Sequence, residues 1–425
     1  MKSDRYQELK HASQLHQEPD WLTAQRLNAF DLIGQLKLPH MQRFAYENWP
    51  LTKQRNLVWQ DSKEQMLDKQ STANLIQIGE TKVQRKFDPR LDKKGVIFAD
   101  LFAVLKSRPE LIKNYLMKQV IKYEENKLTA YHMAYMNCGY VLYLPSNCVI
   151  NKPIEVDLVQ DCTNKNAWIP HILIIAEKGS QVKIVQHLKT IGNEPNTANM
   201  VMEVVAKANS HIEISSLEEL NKNTLFYFNR RANIAENAHV EWAIGLMNNC
   251  DTVGDLDSEL IGEGSYANSK AIAITSGKQK VGFNNRVTNR GLHTTGLINQ
   301  RGVLLDSSKL IFDGIGQIVH GAHGSNADQK NRVLMMSDEA KGDANPLLLI
   351  DENDVIAAHA ASVGPVDKMQ MYYLMSRGIS YAKAQRLVIR GFLGAVIDAI
   401  PAKNVRQNMI DILERKLIRE QNKQH

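Results

Sequence analysis

The residue best placed to do chemistry in this chain of 425 residues is a histidine set among alanines. The stretch reads Asn353-Asp-Val-Ile-Ala-Ala-His359-Ala-Ala-Ser-Val-Gly364 and is closed by Ser376-Arg-Gly-Ile379. An imidazole changes charge near neutral pH, and its neutral ring nitrogen is a common metal ligand. Ala357, Ala358, Ala360 and Ala361 leave room for backbone, a partner chain or a ligand to come close. The same features suit a packed histidine at a tight corner, and spacing alone does not separate the two readings.

The other reactive residues mostly exclude functions. Cys138, Cys148, Cys162 and Cys250 contain no C-x-x-C pair, which argues against a structural zinc site or a dithiol redox motif. His320 and His323 lie three apart; on a strand they face opposite sides, which argues against a shared ion. His211 and His239 fall at turn or strand-start positions and read as structural. No G-x-x-x-x-G-K-[ST] occurs, and Ser276-Gly-Lys-Gln279 lacks both the upstream glycine and the following hydroxyl, so no P-loop is expected. Gly314-Ile-Gly316 lacks the third glycine of a dinucleotide fingerprint and reads as a turn between repeats. Asp306, Asp313 and Asp338 are candidate carboxylates for a β-helix carbohydrate-active enzyme, which needs a facing pair across a cleft; spacing reveals no pair.

Composition is ordinary, with 43% hydrophobic and 23% charged residues. The formal net charge of +6 demands neither nucleic acid nor an anionic membrane. Apolar runs such as Ile172–Ala176 and Leu347–Ile350 are far too short to span a bilayer. The polar start Met1-Lys-Ser-Asp-Arg5 has no apolar signal core. These features suggest a cytoplasmic protein with reduced thiols.

The elements that position His359 follow from periodicity. Residues 1–60 read as helix, with Leu9, Leu15, Trp21, Leu22, Leu27, Phe30, Leu32 and Ile33 at roughly helical intervals. Arg43-Phe-Ala-Tyr-Glu-Asn-Trp49-Pro reads as a helix end anchored by Trp49. Residues 61–130 mix a polar connector with helix-like stretches. From about residue 130 short β-rich runs take over, and a loose repeat appears: alanine, a small polar turn, then an alternating strand. Its copies are Ala176–Ile184, Ala206–Ile214, Ala235–Trp242, a weaker Gly262–Ile274 and a fifth at Leu304–Phe312. The spacing near 30 residues predicts a β-solenoid more readily than a sandwich, since each short coil buries its apolar face only by stacking. Val182, Ile184, Ile212, Ile214, Val240 and Trp242 should face in, and Lys183, Glu213 and Glu241 out. The open ends of such a stack need a cap or a partner. Past Gly364 the chain turns helical. Ser380 is placed as an N-cap, Leu387, Val388, Phe392, Ala395 and Val396 form one face, and a second amphipathic helix carries Val405, Met409, Ile412, Leu413 and Leu417.

The run from Asp351 to Ile397 resembles the C-terminal signature of the SufB/SufD family of iron–sulfur cluster assembly proteins. That pattern is Asp-Val, a spacer, His, Ala-(Ser/Thr)-Val-Gly, a tyrosine-containing strand and Ser-Arg-Gly-Ile. Glu47-Asn-Trp49 resembles a segment near the start of such chains. Val363-Gly364 is the form of the SufD branch; a SufB-like scaffold would carry an extra acidic residue and Ser-Lys-Ile. The resemblance implies a mainly β protein: an N-terminal helical and mixed region over 1–130, a right-handed β-helix core over 131–365 and a C-terminal helical region over 366–425. It implies a scaffold subunit without catalytic activity of its own, which pairs with SufB through the β-helix and binds the ATPase SufC through its C-terminal helices. On that basis Ser380, Leu387, Val388, Phe392 and Val396 are the expected SufC-docking residues. His359 is the expected contributor to a cluster assembly site at the SufB interface, as an iron ligand shared with the partner. Some SufD chains carry a cysteine two residues before this histidine; here the position is Ala357, so a thiolate must come from the partner or from a distant cysteine. No cofactor is expected on the chain alone beyond a transient iron–sulfur cluster formed with SufB. A homodimer is the expected arrangement open to the isolated chain.

Overall fold

One coil of the repeat is a strand, a corner, a second strand and a second corner. The computed structural model describes residues 2–52, 73–398 and 403–421. The chain begins with α1 (Lys2–Leu15) and α2 (Asp20–Ile33), then β1 (Leu75–Ile78), β2 (Gln84–Arg85), α3 (Pro89–Lys93), β3 (Ile97–Asp100), α4 (Leu101–Ser107), α5 (Pro109–Ile112) and α6 (Lys127–Tyr135). The first coils follow as β4 (Cys138–Leu144), β5 (Ile154–Cys162), β6 (Pro170–Ala176), β7 (Gln181–Gly192), β8 (Asn196–Ala206), β9 (His211–Glu219), β10 (Thr224–Ile234) and β11 (His239–Leu246). The later coils are β12 (Asp251–Leu260), β13 (Tyr266–Thr275), β14 (Lys280–Asn289), β15 (Thr295–Leu304), β16 (Lys309–Ile318), β17 (Asn326–Met335), β18 (Lys341–Ile350) and β19 (Ile356–Pro365). Helices α7 (Lys368–Ser376), α8 (Tyr381–Ile397) and α9 (Lys403–Gln421) complete the described chain. From β4 onward even-numbered strands stack in one sheet and odd-numbered strands in the other, each parallel to its neighbours.

The expected β-solenoid is therefore present, and its register is the one alternation called for. Val182 pairs with Ile212 and Ile212 with Val240, while Ile184 pairs with Ile214 and Ile214 with Trp242. All six side chains are at most 2% exposed. Outside, Lys183 Nζ lies 2.8 Å from Glu213 Oε1, and the His211 ring stacks on His239, which stacks on Tyr266. The small polar turn recurs because the same corner position is left-handed in successive coils: Gly179, Asn209, Asn237, Gly264, His293 and Gly324 all have positive φ. Glycine and asparagine tolerate that conformation best.

Several sequence expectations change. The fifth copy, Leu304–Phe312, spans the opposite corner and the other sheet; Leu310 and Phe312 stack on Val281 and Phe283. Both corners are small and polar, so pattern alone could not assign them. Gly314 and Gly316 lie inside β16 and not in a turn. Residues 34–52 are not helical, and Trp49 sits in an irregular segment. There Met41, Phe44, Tyr46 and Leu51 pack on Tyr227, Val253 and Ile311, strapping the outer face of the even sheet. Residues 53–60 of the expected helix and 61–72 of the connector lie outside the described residues.

The first coil is capped by this chain. Strand β3 pairs antiparallel with β4, and β5 is covered by β1, itself paired with β2. The N-terminal helices pack on Val141, Leu173, Ile175, Val201 and Val205 of the even sheet. Arg26, held by Glu18 at 2.8 Å, donates to the carbonyls of Ala134 and Met136 at 3.1 and 3.0 Å. A cation there offsets the negative end of α6. Beneath it, Glu203 accepts the backbone N–H groups of Met117 (2.7 Å) and Ile121 (3.0 Å) and faces His171 at 3.2 Å. His171 in turn meets His132 at 3.1 Å, and His132 meets Asn199 Oδ1 at 3.0 Å.

Candidate functional site

His359 lies on β19, the last strand of the odd sheet, which pairs with β17 and, among the described residues, has no strand on its other side. It is exposed, as is nearly all of β19, so it is not a core histidine. Its direction follows from register. Gln329, Asn331 and Val333 are buried inward-facing residues of β17, and they pair with His359, Ala361 and Val363. His359 therefore continues the inward column Ile184, Ile214, Trp242, Ser269, Ile298, Gln329 and is open to solvent because no further coil among the described residues covers it. Strand β18 ends the other sheet. Leu349, Ile350, Ile356 and Val363 are exposed at this end of the solenoid. Pro346 in β18 removes one donor from that edge, whereas β19 has no proline before Pro365.

No cysteine is on this end. Cys138, Cys148, Cys162 and Cys250 are buried in earlier parts of the chain. Burial holds the Cys138 thiol well above its usual range and pushes Cys250 up to about 12, so both are protonated thiols at neutral pH. His320 and His323 are on a corner and not on a strand, and both turn toward Glu352, at 3.8 and 3.3 Å. That carboxylate also accepts the backbone N–H groups of Gly321 and Asn353, so the three clip the corner together. Among the described residues no group of three or more His, Cys, Asp or Glu side chains is arranged to hold a metal ion. Asp306 accepts the N–H of Gly277 at a corner, and Asp313 accepts Asn345 on the outer face of β16. Asp338 is exposed at another corner. Two of the three are engaged in fold contacts on different surfaces, unlike the facing pair of a glycosidase.

The C-terminal helices are not left bare. Ala384, Ile389, Leu393, Val396 and Ile397 of α8 are buried. Of these, Ile389, Leu393, Val396 and Ile397, with Met409, Ile412, Leu413 and Leu417 of α9, cover Val185, Leu217, Ile272, Ile274 and Val303 of the odd sheet. Lys416 reaches in to donate to the carbonyls of Asn248 and Ile274. The apolar faces of these helices are thus buried largely against the solenoid's own outer face. Ser380 occupies the N-cap position but makes no side-chain cap bond. Leu387 is 44% exposed, Val388 and Phe392 are half-buried with Arg301 over the Phe392 ring, and Val396 is 1% exposed. The side chains of Ala395 and Val405, and residues 399–402, lie outside the described residues. The tyrosine-containing segment expected as a strand is helix α7, where only Met371 is buried. Met369, Tyr372 and Tyr373, at helical spacing, stand 57–72% exposed, with Tyr381 and Leu387 of α8 also exposed. Sequence reasoning missed this face, although its i, i+3, i+4 spacing was readable.

Comparison with known proteins agrees with this architecture. A family model described as "SUF system FeS cluster assembly, SufBD core domain" matches residues 158–392, and one described as "SufBD protein N-terminal region" matches residues 3–156. The chain belongs to the SufBD family. Among its SufBD relatives, the "Iron-sulfur cluster assembly protein SufD" of Bacillus subtilis is 37% identical over 96% of this chain and 97% of its own length. A SufBD family protein of Staphylococcus haemolyticus is 22% identical over 92% of this chain and 89% of its own. One from Staphylococcus epidermidis is 24% identical over 75% of this chain and 68% of its own. The SufBD core match runs from within β5 into α8 and includes β19 with His359. No helix among the described residues is long and apolar enough to cross a membrane.

Proposed function

We propose that this chain is the SufD-type scaffold subunit of a SUF iron–sulfur assembly complex, without catalytic activity of its own and working in the cytoplasm. The observation that carries the reading is the asymmetry of the solenoid. Its first coil is closed by β1–β3, while among the described residues its last coil is uncovered and holds His359 on a strand paired along one edge only. An edge of that kind accepts a strand from a partner, and SufB is the partner we assign to it. The isolated chain can pair with itself through the same edge. His359 then faces SufB as an iron ligand or hydrogen-bond donor to a transient cluster, and the thiolate comes from SufB, since the four cysteines of this chain are buried elsewhere. The chain divides functionally into a cap over residues 1–130, the pairing solenoid over 131–365 and the SufC-binding region over 366–425. Within the last, the ATPase SufC docks on the exposed aromatic and methionine face of α7 and on Leu387, with Ser380, Val388 and Phe392 beside it. Val396 supports that surface from beneath.

The test is co-purification with untagged SufB and SufC, paired with two substitutions. His359→Ala should leave complex formation and melting temperature unchanged while cluster assembly in cells falls; early unfolding or assembly at the normal rate contradicts the role. Tyr372→Asp should abolish SufC retention and leave SufB bound; SufC retained at the unsubstituted level places its contact elsewhere.

A further inference from the structure

Lys416 of α9 is 7% exposed, a rare place for an ammonium group. Its Nζ donates to the carbonyl of Asn248 at 2.7 Å and to that of Ile274 at 3.2 Å. The helix comes this close beside Gly245, where a Cβ would lie 2.4 Å from Met409 Cε. The Asn248 carbonyl also accepts Nε2 of Gln279 at 3.1 Å, so both of its lone pairs are used. Asn248 is buried at the corner between β11 and β12 and carries the contact inward. Its Oδ1 accepts the N–H of Leu220 at 2.8 Å, and its Nδ2 donates to Glu218 Oε2 at 3.2 Å. The other Glu218 oxygen accepts Arg230 Nη2, which also donates to Ser216 Oγ at 3.2 Å. Glu218 and Arg230 are fully buried inside the solenoid, on β9 and β10. A chain of hydrogen bonds thus runs from a helix on the outer face to a charged pair in the interior. Arg230 Nε and Nη1 have no partner among the described residues, so this cation leans on Glu218. A buried pair that loses a support is strongly destabilised. Lifting α9 would take the ammonium from the Asn248 corner and loosen the amide that holds Glu218 Oε2.

We propose that Lys416, Asn248, Glu218 and Arg230 act as a latch, so that the seating of α9 and the order of the β9–β10 interior are lost together. Lys416 is a positioning residue for the C-terminal helical region. That a load from SufC reaches the interior by this route rests on the docking reading above, but the coupling itself does not.

The experiment is native-state amide hydrogen exchange on the full chain. Lys416→Met keeps the apolar stem and removes the charge. Losing a hydrogen bond to a charged group shifts an opening equilibrium by about ten- to a hundredfold. Exchange should quicken by about that factor in residues 403–421, and also in residues 216–220 and 228–232. Glu218→Gln, made inside the solenoid, should quicken exchange in 403–421. The two substitutions together should quicken α9 no more than Lys416→Met does alone. Asn248→Ala keeps the carbonyl that Lys416 uses and cuts the link, so in that background Lys416→Met should act on α9 alone. Quickening confined to 403–421 in the chain that keeps Asn248 overturns the proposal, as do additive effects of Lys416→Met and Glu218→Gln. Should Glu218→Gln fail to fold, the comparison with and without Asn248→Ala decides. Added SufC separates the two readings. If SufC slows exchange in α7 and α8 while Lys416→Met leaves the interior unchanged, the docking reading stands and the latch falls. If Lys416→Met moves both regions while SufC protects neither helix, the latch stands and the docking reading falls.

Discussion

Replacing Glu203 by leucine should cost more stability than truncating an ordinary core side chain. Glu203 is fully buried and terminates two backbone N–H groups, those of Met117 and Ile121, that belong to the N-terminal cap. Leucine fills the volume and accepts neither. Each orphaned buried donor costs about 1–3 kcal/mol, so the expected loss is about 4 kcal/mol. Glutamine retains one carbonyl and should lose roughly half as much by the same reasoning. Against a typical net stability of about 5–15 kcal/mol, the leucine protein should be marginal. Burial pushes the Glu203 carboxyl up to about 8, against the two N–H donors that pull it down, and burial lowers His171 to about 3. Both effects place the proton between Oε2 and Nε2 on the glutamate; His171 then donates from Nδ1 to His132, and His132 to Asn199. A raised carboxyl contributes stability that is fully present below its unfolded value and is lost as pH rises to about 8. A lowered imidazole contributes stability present above its unfolded value and lost as pH falls toward 3. The leucine variant should therefore lack the alkaline loss, and its deficit should shrink between about pH 5 and 8, by at most ~1.4 kcal/mol per pH unit. Urea unfolding at several pH values, with the m-value checked for constancy, measures both. A deficit under about 1 kcal/mol, or one equal to that of the glutamine variant, would show that the two N–H groups find other acceptors.

Trp242→Ala, which empties a site 1% exposed and removes the bond from Nε1 to Ser258, should cost about 3–5 kcal/mol in the same unfolding assay; a cost below that of an ordinary surface change would remove Trp242 from the core column. At Gly282 a Cβ would come within 2.5 Å of Met41 Sδ and 2.7 Å of the Phe44 ring. Gly282→Val should therefore lift residues 38–51, speed their amide exchange and cost about 1–3 kcal/mol; unchanged exchange there would mean the strap does not depend on this contact. His359→Ala, at an exposed position, should change stability by less than about 0.5 kcal/mol.

What sequence alone determined was whatever repeats locally. The strand alternation and the turn spacing reported the solenoid, because each coil must bury one face on its neighbours and each corner needs residues tolerant of a left-handed backbone. The small residues around His359 were equally legible. Tertiary structure decided the rest. Both corners of a coil look alike in sequence, so only pairing assigned Leu304–Phe312 to the second sheet. Helix α8 has apolar residues on more than one side, and contact with the odd sheet selected Ile389, Leu393 and Val396 for burial while leaving Leu387 in solvent. Glu203, His171 and His132 come from separate elements, and no local pattern predicts their contact. His359 itself points along an inward column yet is exposed. That combination exists only where a stack ends, and where it ends is a property of the whole chain.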